Sequence, residues 1–300
     1  MTLNQFYRNQ RPNLLALLTT LAIIGTGAAN AYASKSCLWS IQTRSNTVFL
    51  LGSIHFLKSD SYPLARAIER AYAASPQIVF ETDMAAMNDP AIQGKVLALG
   101  TYPEGESLYQ HITARTKRLL EEKMAATGLP PEQFARFRPW FLALNLTTLE
   151  ILRLGFDPNF GIDLHFFGRA QQDGKRILFL EPIEYQLELL AGMDKRDQNA
   201  FLSQTLTELE LVTSRTADMV KFWQSGDTAN LHKILFESFK DHPQIHNRLL
   251  IERNRKWVRE IEKMAKQKEN YLVIVGAGHL VGPRSVVELI EKKGYEVRQH

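Results

Sequence analysis

Two histidines and two glutamates stand in this chain where a strand-ended sheet could gather them. His55 closes the turn Gly52-Ser53-Ile54-His55, and His279 closes Gly276-Ala277-Gly278-His279, so one Gly-x-x-His turn lies near each end of the sequence. Glu81 follows the apolar run 77–80, and Glu181 follows 176–180. Neutral imidazole and carboxylate are the ligands of divalent zinc, manganese, iron or cobalt. Such an ion lowers the pKa of a bound water toward about 7 and makes a hydroxide nucleophile. A further carboxylate nearby could take the proton. Gly52 and Gly276, three residues before each histidine, and Gly278 within the second turn let the backbone turn sharply and leave space at the sheet edge.

These groups meet only if the segments before them are neighbouring strands. Residues 37–43 and 48–52 read as strands around the turn Arg44-Ser45-Asn46. Pro63, at a first helical position, opens an amphipathic helix to about Ala74. Residues 77–81 form another strand, and 89–172 are mostly helical. Within that stretch, 140–154 is apolar on nearly every face, the mark of a buried helix. A strand at 176–180 precedes a long helical block from Ile183 to about Lys268, broken near Gly226 and at His242-Pro243. The chain closes with strand 271–275, a Gly-rich turn, helix 285–293 and a last strand, 295–298. The expected fold is therefore α/β, a mainly parallel central sheet flanked by helices. A largely helical insertion at about 89–158 is expected to form a cap. In such sheets ligands bind beyond the carboxyl ends of the strands, where His55, Glu81, Glu181 and His279 all fall.

Other motifs carry less. Gly276-Ala277-Gly278-His279-Leu280-Val281-Gly282, with Glu296 further on, looks like a dinucleotide fingerprint, but that fold needs more βα units than remain before His300. His242 and His246 have metal-ligand spacing, yet the general-base glutamate of a zinc-protease helix is absent and Pro243 puts His242 at a helix start. No Gly-x-Ser-x-Gly elbow is present. Cys37, the single cysteine, excludes an internal disulfide or a Cys-rich zinc site, and precedes the expected pocket.

The first 33 residues have the layout of a secretory signal peptide. Arg8 and Arg11 form the positive region, 14–29 is an apolar run shorter than a membrane span, and Ala31-Tyr32-Ala33 is a small-x-small cleavage site. Cleavage after Ala33 would leave 34–300 as a single domain, periplasmic or secreted, that meets the membrane only through its leader. The formal charge of +4, part of it in the leader, lacks the concentrated basic face that nucleic acid requires.

Taken together, Leu50-Leu51-Gly52-Ser53-Ile54-His55 and Val273-Ile274-Val275-Gly276-Ala277-Gly278-His279-Leu280 resemble the TraB/GumN family. Glu81-Thr82-Asp83 is similar to its acidic strand end, and Gly161-Ile162-Asp163-Leu164-His165-Phe166 with Leu180-Glu181-Pro182 to its central motif, where Thr is commoner than Pro182. Arg253-Asn254 with Trp257 resembles its Arg-rich helix. The resemblance spans the mature chain and extends to the Tiki metalloproteases and, more distantly, to erythromycin esterases and haem-binding proteins. It implies that His55, Glu81 and His279 hold a divalent metal (manganese, cobalt or zinc). It also makes Glu181 or Asp163 the proton carrier, Arg253 an electrophilic or substrate-binding group, and His165 and Asn254 substrate contacts. The expected function is an exported metal-dependent hydrolase acting on a peptide or small molecule. The alternative is a non-catalytic periplasmic protein that binds a peptide signal, haem or a polymer precursor.

Overall fold

Apolar runs bounded by polar turns set the strands. The computed structural model describes residues 35–300, so the expected leader lies outside the described residues. Strand β1 (Leu38–Gln42) and strand β2 (Thr47–Ser53) form an antiparallel hairpin with Leu38 opposite Leu51. Its turn is closed by Thr43, whose hydroxyl donates to Asn46 Oδ1 at 2.8 Å. Helix α1 (Arg66–Ala74) leads to β3 (Gln77–Phe80). Helices α2 (Pro90–Gly100), α3 (Ala114–Thr127), α4 (Pro139–Arg153) and α5 (Ile162–Gln172) precede β4 (Arg176–Phe179). The second helical block holds α6 (Ile183–Ala191), α7 (Lys195–Glu208), α8 (Val212–Ser225) and α9 (Thr228–Phe236). It ends with α10 (Pro243–His246) and, after a π-helical stretch at Asn247–Ile251, α11 (Glu252–Met264). Strand β5 (Tyr271–Gly276), α12 (Val286–Glu291) and β6 (Val297–Gln299) complete the chain.

The sheet order is β4-β3-β5-β2-β1-β6. The four strands from β4 to β2 are parallel, whereas β1 is antiparallel to both β2 and β6. This is the expected mainly parallel α/β sheet. Strands buried on both faces read as continuous apolar runs, and β5, last of the parallel strands in sequence, lies between β2 and β3 at their centre. The carboxyl ends of β2, β5, β3 and β4 consequently meet at one edge.

Three local expectations shift. The first helix begins at Arg66, after a cis Tyr62–Pro63 bond, so Pro63 precedes the helix instead of opening it. The last strand starts at Val297, since it is itself the edge strand and pairs only with β1, over Val297–Gln299. Helix α4 is not buried all round: Trp140, Leu142 and Leu146 are, but Leu144, Leu149 and Leu152 are exposed. Its buried face packs with α3 and α7 in an apolar cluster separate from the sheet, including Leu120, Leu146, Leu202 and Leu206. That helical layer thus draws α7 from the second block as well as helices from 89–158. Among the described residues, no helix is long and apolar enough to cross a membrane.

Candidate functional site

Because β2 and β5 are parallel neighbours, with Ser53 opposite Gly276, the two Gly-x-x-His turns leave the sheet side by side. A Cβ on Gly52 would lie 3.1 Å from Ala277 Cα, so the second turn packs on the first only because Gly52 has no side chain. Neither Gly52 nor Gly276 has a positive φ, and Gly276 sits at −49°. These glycines therefore supply room, not the sharp turn expected of them. A Cβ on Gly278 would make only ordinary contact, 3.4 Å from Phe236.

Gly276 is the floor of a small cup. A Cβ there would lie 3.2 Å from Glu81 Oε1, 3.7 Å from His279 Cδ2 and 4.0 Å from His55 Nε2. The two histidines and Glu81, far apart in sequence, thus surround one point. Glu81 arrives from β3, and the ladder continues past the strand end, where Glu181 N–H donates to Glu81 O at 3.0 Å. Its carboxylate is fixed by Gly276 N–H, which donates to Oε1 at 2.6 Å.

Each histidine is oriented by a partner behind it. His55 Nδ1 lies 2.8 Å from Asp163 Oδ2, which leaves Nε2 facing the cup; the His55 side chain is 62% exposed. Asp163 comes from the first turn of α5, and that helix can approach only because Gly161 lacks a Cβ that would collide with His55 O. His279 is 4% exposed, and its Nδ1 lies 2.6 Å from Asn254 Oδ1. Since an amide oxygen only accepts, Nδ1 carries the proton and Nε2 is a lone pair. Metal-binding histidines are held in this way, by a carboxylate or carbonyl on the second ring nitrogen.

Arg253 ties the remaining groups together. The residue is 9% exposed and one turn before Trp257, against whose ring its guanidinium packs at 4.6 Å. Its Nη2 lies 2.6 Å from Glu81 Oε2 and 2.7 Å from Glu181 Oε1, and its Nε donates to Glu181 at 2.9 Å. Its Nη1 donates to Leu249 O and lies 3.1 Å from His279 Nε2. Trp257 Nε1 donates to the other Glu181 oxygen at 2.9 Å, and Gln186 Nε2 reaches both glutamates. The π-helical stretch ends two residues before Arg253; such turns concentrate at functional sites.

The charges follow from these contacts. Burial opposes ionisation of Glu81, but His279, Arg253 and Gly276 N–H outweigh it and hold its carboxyl down to about 2. Burial pushes His279 down to about 3, so the ring is neutral, as its hydrogen bonds require. Asp163, by its charge and its hydrogen bond, lifts His55 to about 9 and outweighs the desolvation that opposes protonation.

Of the other residues expected at the site, Asn254 is committed to His279 and, through Nδ2, to Arg284 O at 3.0 Å. His165 lies two residues from Asp163, and its ring packs on Tyr62 and Phe166 instead of entering the cup. Gln186 and Ser53 escaped sequence reasoning, since nothing in their type or spacing separates them from surface polar residues. Trp257 was legible in part, from its place one turn after Arg253. Cys37 is buried away from solvent, which pushes its thiol up to about 12.

The donor chemistry fits a divalent ion. Glu81 Oε1 and His279 Nε2 are 3.9 Å apart, a separation one ion spans with bonds near about 2 Å. His55 Nε2 faces the same space. Among the described residues, however, no three His, Cys, Asp or Glu side chains are drawn together as a ready cluster. Arg253 explains this, because its guanidinium already occupies Glu81 Oε2 and the His279 lone pair.

Fold and site define an α/β protein with a histidine–carboxylate centre at the carboxyl edge of its sheet. The chain belongs to the TraB/PrgY/gumN family, which matches residues 37–299. It is 24% identical over 241 residues to the uncharacterized protein YbaP of Escherichia coli K12, covering 80% of this chain and 86% of that one. It is 23% identical over 301 residues to metalloprotease TIKI2 of Danio rerio, covering 83% of this chain but 57% of that protein. Metalloprotease TIKI1 of Homo sapiens is 23% identical over 359 residues, 94% of this chain and 68% of its own length. The family relation thus reaches proteins named metalloproteases. No solved structure matches the chain.

Proposed function

We propose that this protein is an exported metal-dependent hydrolase of the peptidase type, acting in the periplasm or outside the cell after removal of residues 1–33. The observation that carries the reading is the cup over Gly276, where His55 Nε2, Glu81 Oε1 and the His279 ring surround one point. His55, Glu81 and His279 would hold the ion, which would displace the His55 Nε2 proton, with Asp163 and Asn254 fixing the two rings. A bound divalent ion would supply a water acidified toward pKa about 7 and polarise a substrate carbonyl. Glu81 enters as a carboxylate at every physiological pH. Neither candidate proton carrier faces the cup freely: Asp163 lies behind the His55 ring, and both Glu181 oxygens are held by Arg253, Trp257 and Gln186. Arg253 acts from within, as the counter-charge that bridges Glu81 and Glu181. It competes with an entering cation for the His279 lone pair.

One feature favours a binding-only protein: Arg253 satisfies Glu81, Glu181 and His279 with no added ion. The two readings part in a single experiment. Protein loaded in turn with manganese, cobalt and zinc is incubated with a peptide library and the products are read by mass spectrometry. Hydrolysis predicts cleavage that His55→Ala and His279→Ala abolish while far-UV circular dichroism is unchanged. Cleavage absent with every metal would leave the binding role, and cleavage surviving both substitutions would mean that the cup does not carry it out.

A further inference from the structure

A cavity of 310 Å³ opens beside the cup, and Ser53, His55 and Gly276 form its near wall. A second cavity, also 310 Å³, lies beyond it between α4, α7, α8 and α9. The two share Ile151, Thr216, Met219 and Leu235, so they adjoin as an inner and an outer lobe. Each reaches the size of a small-molecule pocket, roughly 300 Å³ and upward. The shared wall gives α4 a second role beside its packing on α3 and α7, since Ile151 looks into both lobes.

The walls select among occupants. The side walls come from α4, α7, α8 and α9, whose backbone groups are bonded within their own helices. A peptide laid there would find no strand edge for its amides, and each unpaired amide is costly to bury. A hydrocarbon chain has no such requirement. Met219, unbranched and adaptable, lies on the passage between the lobes. At the cup end, Ser53 is 3% exposed, lines the inner lobe, and its Oγ has no hydrogen-bond partner among the described residues. A buried hydroxyl without a partner calls for a ligand group to fill the gap.

We infer that the two lobes hold the linear acyl chain of an amphiphilic substrate, with the Ser53 hydroxyl donating to its first carbonyl. The head group then rests at the cup. This rests on the proposed hydrolase only for which end of the substrate reacts; occupancy of the lobes stands on the cavity itself.

The test reads binding in the full, metal-free chain, so it is independent of turnover. N-acyl dipeptide amides with chains of increasing length, and lysophospholipids of matching chains, are titrated by calorimetry. Each added methylene should tighten binding about fourfold until the lobes are filled. Ile151→Trp and Met219→Trp should flatten that slope, whereas Ser53→Ala should weaken every acyl amide alike and leave the slope intact. Preference for one probe series identifies the source of the chain. No slope in the wild-type chain, or a slope untouched by both tryptophans, overturns the proposal. So does equal competition by an unacylated Leu-rich peptide, which would make the occupant a peptide. Should a tryptophan variant fail to fold, a diazirine-bearing acyl probe on the wild-type chain decides. Labelling on α4, α7, α8 and α9 supports the assignment, and labelling elsewhere refutes it. Failure of hydrolysis would leave this result standing, and a missing slope would leave the metal reading standing.

Discussion

Replacing Arg253 with methionine should expose how the site is held together. The guanidinium is the shared cation of Glu81 and Glu181, all three side chains being nearly buried. Methionine keeps the apolar stem against Trp257 but leaves two buried carboxylates without a partner. Breaking a buried pair in this way costs about 3–5 kcal/mol. At roughly 2–4 °C per kcal/mol for a domain this large, the unfolding midpoint should fall on the order of 10 °C at pH 7. The pH dependence carries the sign. In the wild type, Glu81 is depressed to about 2 from an ordinary 4.5, so its stabilisation is present above pH 4.5 and is lost as pH falls through about 2. In Arg253→Met, burial is unopposed by that cation and Glu81 binds a proton more readily. The gap between variant and wild type should therefore narrow as pH falls from 7 toward 3. Adding Glu181→Gln to Arg253→Met should restore part of the loss, because it removes one uncompensated charge. Thermal and urea unfolding from pH 3 to 7 measure all of this. A loss below about 1 kcal/mol, or strictly additive double-variant energies, would refute the bridging role.

Further outcomes follow from the same geometry. Asp163→Asn should bring His55 from about 9 back toward an ordinary imidazole, read by NMR titration of the ring. An unchanged titration would mean that Asp163 does not govern His55. Since His55 is raised in the folded chain, its stabilising contribution is full below about 6.5 and lost as pH rises through about 9; Asp163→Asn should remove that alkaline limb. Gly276→Ala should place a methyl 3.2 Å from Glu81 Oε1 and block the cup, cutting metal affinity by at least tenfold in calorimetry with little change in circular dichroism. Cys37, buried with its thiol at about 12, should resist a thiol reagent in native protein and react only on unfolding; rapid native labelling would contradict its burial.

The sheet was legible because β2, β3 and β5 are apolar runs that must be buried, and their carboxyl ends name His55, Glu81 and His279. What lay behind those residues was not. The contact between His55 and Asp163 joins positions 108 apart, and no local period encodes it. Arg253 reads in sequence as a free cation ready for substrate, whereas in the fold five contacts claim it. The same is true of Asn254 and Glu181, whose polar atoms are satisfied internally. Helix α4 misled for the opposite reason: an all-round apolar pattern signals burial, but here one face lines a cavity and Leu144, Leu149 and Leu152 remain exposed. Residue type revealed which groups can do chemistry, and only packing revealed which of them are free to do it.

The central claim is that the cup over Gly276 holds one divalent ion. Its most direct test is metal content, measured by mass spectrometry after dialysis against manganese, cobalt or zinc, in the wild type and in His55→Ala. The exposed His55 ring can be removed without opening the core, so the variant isolates the site. About one equivalent in the wild type and a clear loss in the variant is the result the proposal predicts. No bound ion in the wild type, or the same stoichiometry and affinity in both proteins, would contradict it.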